Sequence, residues 1–203
     1  MTPTLINNFP LSGAVLAGGR ARRLDGLDKT LLHLGRESLL SRTLGILNSF
    51  CRETLISSNT LQQHPQGRIV PDLKLGQGPL GAIYSCLQAS NNPYLQIVAG
   101  DMPFISAPGL IKLWREREGF DVIIPQTPDG LQPLAALYKQ SCIPHIAAQL
   151  EENNFKIRRF FSDVKVKIII CSDFPDIYPD HTFLNINSPK DLQKAREIYH
   201  KTN

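Results

Sequence analysis

At 203 residues, with 42% hydrophobic and 20% charged residues, the chain has the size and balance of one folded domain with its own core, which excludes a disordered, collagen-like or fibrous protein. A formal net charge of +4 is too small to argue for a nucleic-acid partner, and it suits a small polyanion where the positive charge is focused. Cys51, Cys86, Cys142 and Cys171 lie far apart without C-x-x-C spacing, so they read as reduced thiols of a cytoplasmic protein.

His33, His64, His145, His181 and His200 show no metal-ligand spacing. No stretch approaches the roughly 20 apolar residues that span a bilayer, and the opening residues lack the basic and apolar regions of a signal peptide, so no membrane partner is expected.

Residues 1–12 read as a short tail, and 13–203 as a single domain. Gly13–Leu16 is a brief apolar run stopped by Ala17-Gly18-Gly19, a strand running into glycines. Leu31–Leu34 is a second extended piece. Leu39, Leu40, Thr43, Leu44 and Leu47 repeat at helical spacing. Thr54–Ser57 and Arg68–Pro71 are strand candidates, and Gly78-Pro79-Leu80-Gly81 opens a helix whose apolar face holds Ile83, Tyr84 and Leu87.

Tyr94–Ala99 is a strongly apolar run ending at Gly100-Asp101. Leu110, Leu113 and Trp114 mark a helix, and Asp121–Ile124 a strand ending at Pro125. Further strands are predicted at Leu134–Tyr138, Lys165–Ile170 and Phe183–Ile186, with a helix at Ile143–Leu150. A last helix runs from Pro189 to about Tyr199, with Ser188 as its N-cap. Strands alternating with helices predict an α/β fold: a mostly parallel central sheet with helices on both faces. In such sheets ligands bind beyond the carboxyl ends of the strands. The loop after Leu16, Asp72 after Val70-Pro71, and Asp101 after Ala99-Gly100 all belong there.

The first chemical element is Leu16-Ala17-Gly18-Gly19, followed by Arg20, Arg22, Arg23 and Lys29. Glycines bring backbone N–H groups close to an anion, and the cations that follow suit a phosphate chain. The pattern is neither a P-loop nor the G-x-G-x-x-G fingerprint, and a tight turn with a solvated basic face fits it equally. Asp101, held between Gly100 and Pro103, suits a hard oxygen ligand for Mg²⁺ or a cap of the next turn. Asp72, directly after Pro71, reads as a turn residue. Asn185 and Asn187, two apart in an extended segment, point the same way and suit either a ligand or a helix start.

Leu16-Ala17-Gly18-Gly19, the arginine-rich stretch and Asp28-Lys29 resemble the signature of the NTP-transferase superfamily. The Arg-Ala-Arg-Arg spacing, Gly78-Pro79-Leu80-Gly81, Gly100-Asp101-Met102-Pro103, Gln132-Pro133-Leu134 and Asn185-Ile186-Asn187-Ser188-Pro189 narrow the resemblance to the molybdenum cofactor guanylyltransferases. It spans residues 13 to 199.

The resemblance implies a three-layer Rossmann-like nucleotidyltransferase fold and transfer of GMP from GTP to the molybdopterin cofactor, with release of pyrophosphate. It implies Lys29, Arg23 and Asp101 as catalytic residues. Nucleotide contacts would come from Leu16, Ala17, Gly18, Gly19, Lys29, Ser57, Asp72 and Asp101. Asp101 would hold Mg²⁺, and Asn185 and Asn187 would face the acceptor. The family often has asparagine where this chain has Ser57; Asn59 stands two residues on. A monomer or small homo-oligomer is expected. The same motifs also suit a transferase of another nucleotide, such as a molybdopterin cytidylyltransferase or a sugar-phosphate nucleotidyltransferase, or a nucleotide-binding protein without catalysis. No histidine lies in these elements, which fits a phosphate acceptor that is already ionised and needs no base.

Overall fold

The structure, a computed structural model, describes residues 8–18, 23–24, 27–28 and 32–202, and of residues 23, 24, 27 and 28 the backbone alone. Four parallel strands form its centre. They are β1 (Phe9–Leu16), β6 (Cys51–Ser57), β7 (Arg68–Val70) and β8 (Tyr94–Ala99), side by side in the order β8-β1-β6-β7. Beyond β8 the sheet continues through antiparallel β11 (Leu137–Lys139) to β9 (Val122–Thr127), which also pairs with β10 (Gly130–Leu131) and, in parallel, with β12 (Val166–Ile170). Two small hairpins, β2–β3 (Arg23–Leu24, Leu27–Asp28) and β4–β5 (His33–Leu34, Glu37–Ser38), lie between β1 and β6 in the chain.

Alternate residues of the central strands feed two cores, one on each face of the sheet. Leu11, Val15 and Val98 pack with α1 (Leu39–Asn48) and α3 (Ala107–Arg115). Ala14, Leu95 and Ile97 pack with α2 (Gly78–Ala89) and α4 (Ile143–Glu151). Burial on both faces is why these strands read as continuous apolar runs. A third cluster joins Leu34, Leu39 and Ile186 to Ala195 of α5 (Pro189–Thr202). Among the described residues no helix is long and apolar enough to cross a membrane. All four cysteines are buried thiols.

Three elements differ from the sequence expectation. The first strand begins at Phe9, inside the segment read as a tail. Phe9 donates its N–H to Phe50 O at 2.9 Å and packs on Trp114, and Leu11 is fully buried. Pro10 hides the pattern, and the register with β6 shifts between Phe9 and Ser12, where a proline is tolerated. Leu134 and Ala135 form a 3-10 turn after Pro133, so the strand predicted there starts at Leu137. Residues 183–186 form no strand: Leu184 N–H turns back to His181 O, and Ile186 leaves the sheet for the third cluster.

The last helix starts as predicted. Ser188 Oγ accepts from Asp191 N–H at 3.2 Å, while the Asp191 carboxylate accepts from the backbones of Asn187 and Ser188.

Candidate active site

The chain leaves β1 outward to β6 and β7, then returns to β8 on the other side of β1. The connections reverse direction between β1 and β8, so a crevice opens at their carboxyl ends. Leu16 pairs with Ala99 on one side and with Ser57 on the other. The Gly18 loop, the Ser57–Asn59 bend, Asp72 and Asp101 therefore share one rim. Asp101 and Asp72 stand three strands apart, roughly 14 Å at ~4.8 Å per strand.

Two hydrogen bonds fix the backbone around Asp101. Gly100 N–H donates to Leu16 O at 3.1 Å, and Asp101 O accepts from Ile186 N–H at 2.9 Å. A Cβ on Gly100 would stand 3.1 Å from Leu16 O, so this close approach requires glycine or a shifted backbone. On the other side of the loop, Ala17 N–H donates to Ser57 O at 3.0 Å. Arg42 Nε holds Pro103 O at 3.0 Å from α1. The Asp101 loop is thus braced by β1, by the segment before α5 and by α1.

Asp72 is held more tightly than its sequence context suggests. Asn59 Nδ2 donates to Asp72 Oδ2 at 2.8 Å, and the Asp72 N–H donates to Asn59 Oδ1 at 2.8 Å. The next N–H, of Leu73, donates to Ser85 Oγ at 2.9 Å on α2. Neither partner was singled out from sequence as a holder of Asp72. Ser85 did leave a signal: it is a polar residue on the buried side of an apolar helix.

Ser57 does not present its side chain to the rim. It is 2% exposed and turned into the core. Ser57 serves the loop through its carbonyl instead. Leu16 and Ala17 likewise spend a backbone carbonyl and an N–H on their neighbours, while Gly18 lies exposed beyond them. Asn185 and Asn187 flank fully buried Ile186, Asn187 on the surface and Asn185 half-buried. They belong to the segment bonded to Asp101, although it is not a strand.

Arg23 pairs with Asp28 in the β2–β3 hairpin; its side chain, with Gly19 and Lys29, lies outside the described residues. Among the described residues no group of three His, Cys, Asp or Glu side chains comes together to cage a metal. One rim carboxylate on a braced loop does fit Mg²⁺, which takes one or two carboxylates and completes its shell with water and phosphate oxygens.

Known proteins share this chain's sequence and fold. Residues 13–167 match the MobA-like NTP transferase domain family. A probable molybdenum cofactor guanylyltransferase of Pelotomaculum thermopropionicum is 37% identical over 91% of this chain and 91% of its own. One of Clostridium perfringens is 32% identical over 92% and 98%. The crystal structure of molybdopterin-guanine dinucleotide biosynthesis protein A from Archaeoglobus fulgidus superposes with a TM-score of 0.80 at 27% identity, covering 94% of this chain and 99% of that one. The chain belongs to the MobA-like NTP transferase family, among the molybdenum cofactor guanylyltransferases.

Proposed function

We propose that the protein transfers GMP from GTP to the terminal phosphate of the molybdopterin cofactor, releasing pyrophosphate, with Mg²⁺ held by Asp101. The observation that carries this reading is the bond from Gly100 N–H to Leu16 O, which seats the glycine loop and Asp101 on one crevice. The related guanylyltransferases support the choice of nucleotide and acceptor. The buried thiols and the absence of a disulfide support work in the reducing cytoplasm.

An acceptor phosphate oxygen attacks the α-phosphorus of GTP, and the bond to the β-phosphate oxygen breaks. The acceptor is a phosphate monoester with a second pKa near ~6, so at neutral pH it is already a nucleophile. The protein's task is to bring two anions together. Two unit charges ~4 Å apart repel by about 1 kcal/mol in water and about 4 kcal/mol at an effective dielectric near 20. The Gly18 loop supplies backbone N–H groups, and Lys29 and Arg23 supply cationic side chains along the triphosphate. Asp101 would hold a magnesium ion, which would supply positive charge against the phosphate oxygens. Asp72, beyond β7, accepts from N1–H and the exocyclic amine of guanine. Asn185 and Asn187 offer amides to the acceptor on the side of Asp101.

The test is release of pyrophosphate from GTP, CTP, ATP and UTP with purified molybdopterin cofactor and Mg²⁺. GTP is expected to dominate, with no release when the acceptor is omitted. Preference for CTP, or nucleotide binding without release by folded protein, overturns the proposal.

A further inference from the structure

Asn59 lies two residues beyond the end of β6, where the backbone has already turned. Its side chain is exposed, yet both ends of its amide are used on one residue. The oxygen takes the backbone N–H of Asp72, and the nitrogen donates to Asp72 Oδ2, each at 2.8 Å. A planar amide bonded at both ends fixes more than a position. It sets the rotation of the Asp72 carboxylate about its own axis and fills one lone pair of Oδ2. Oδ1 and the remaining lone pair of Oδ2 then lie in a defined plane. Two parallel donors, the N1–H and N2–H of a guanine edge, need such a plane, because a bidentate contact is as much geometric as electrostatic. Ser85 holds the following N–H from the α2 side, so the loop backbone is anchored independently of Asn59.

We infer that Asn59 is a positioning residue for base selection that acts through Asp72 and does not itself ligate the nucleotide. The inference rests on Asp72 reading the base, as proposed above. It also explains how Ser57 can be buried at the end of β6. The bend presents an amide two residues on and aims it at a carboxylate, not at the ligand.

The experiment measures kcat and KM for GTP, ATP and inosine triphosphate, which lacks the exocyclic amine. The proteins are wild type, Asn59→Ala, Asn59→Asp, Asp72→Ala and the Asn59→Ala/Asp72→Ala double variant. Loss of an ordered, preorganised contact predicts a GTP KM raised about three- to tenfold in Asn59→Ala, with kcat little changed and the preference for GTP over inosine triphosphate reduced. Asn59→Asp keeps the oxygen that accepts the Asp72 N–H and sets a carboxylate against a carboxylate. It is expected to raise KM at least as far without lowering the melting temperature. If Asn59 acts only through Asp72, the double variant matches Asp72→Ala.

Wild-type KM in Asn59→Asp shows a bracing role in the backbone alone and overturns the inference. So do additive effects in the double variant, which would mean a direct contact with the nucleotide. Unchanged KM in Asn59→Ala beside a raised KM in Asp72→Ala overturns this inference and leaves base reading by Asp72 standing. Unchanged KM in Asp72→Ala removes the base-reading assignment and this inference with it.

Discussion

Substituting Gly18 separates what the fold requires from what the nucleotide requires. A Cβ added there meets nothing closer than Ser57 O at 3.7 Å, an ordinary van der Waals distance, and the residue's φ lies outside the left-handed region. The folded protein should therefore accept Gly18→Ala. Alanine restricts the unfolded chain, which stabilises by about 0.4–1 kcal/mol. For a chain of this length that is roughly 1–4 °C in Tm. Activity should move the other way. A phosphate oxygen seated ~2.9 Å from a backbone nitrogen has no room for a methyl group beside it. Losing one hydrogen bond to a charged group costs about 1.5–3 kcal/mol, or ~10- to 150-fold in kcat/KM.

The matched control is Gly100→Ala, whose Cβ would stand 3.1 Å from the Leu16 carbonyl. Backbone must shift there, at a cost of about 1–3 kcal/mol, so Tm and turnover should both fall. The assays are pyrophosphate release at saturating acceptor and thermal unfolding of each variant. A Gly18→Ala protein with raised or equal Tm and kcat/KM for GTP within twofold of wild type would refute the reasoning, because the loop would then be a turn without a ligand.

Other substitutions test the charges. Asp101→Asn is expected to abolish turnover at saturating GTP while leaving the melting curve intact; activity restored by excess Mg²⁺ to near wild type would remove Asp101 as the metal's ligand. Lys29→Ala should lower kcat by about tenfold or more, read in single-turnover experiments; a change confined to KM would limit Lys29 to ground-state binding. Hydrogen bonds from Lys112 and Lys167, at 2.7 and 2.6 Å, hold the Glu116 carboxyl down at about 2. Its folded pKa lies below its unfolded one, so its contribution is complete above about pH 4.5 and fades as pH falls toward about 2. Glu116→Gln should lower Tm at neutral pH and flatten the acid fall in Tm across that window, and an unaltered profile would count against the pair. The four buried thiols should react with a thiol reagent only on unfolding; fast labelling of the native protein would contradict their burial.

The alternation of strands and helices was legible because the central strands are buried on both faces and the helices on one, so each left its own period. The rim was legible for the same reason: Asp72 and Asp101 follow apolar runs directly. What stayed hidden depends on contacts between residues distant in sequence. Nothing local in Phe9-Pro10-Leu11 shows a strand, because its partners are Cys51 and Phe50. Ile186 alternates with Asn185 and Asn187 as a strand residue would, but its N–H goes to Asp101 O and its side chain to α5's cluster. The burial of the Ser57 side chain and the clasp of Asn59 on Asp72 were beyond reach, since each needs the rotation of a chain bend, which residue type does not encode.

The family match ends at residue 167, yet the segment leading into the last helix bonds the Asp101 loop. Ile186 bonds the Asp101 backbone, and its side chain shares a cluster with Leu34 of the β4–β5 hairpin and Ala195 of α5. The Arg42 guanidinium lies 5.4 Å from the Tyr199 ring centroid while its Nε holds Pro103 O. The chain enters that hairpin a few residues after Lys29. The β4–β5 hairpin and the loop carrying Asp101 are therefore anchored on the same small core. Charge stabilisation in a transition state is strongest when the charges are held in place before reaction, because no reorganisation is then needed. On this account α5 helps to hold the Asp101 loop in place, and loosening its packing should cost turnover before it costs global stability.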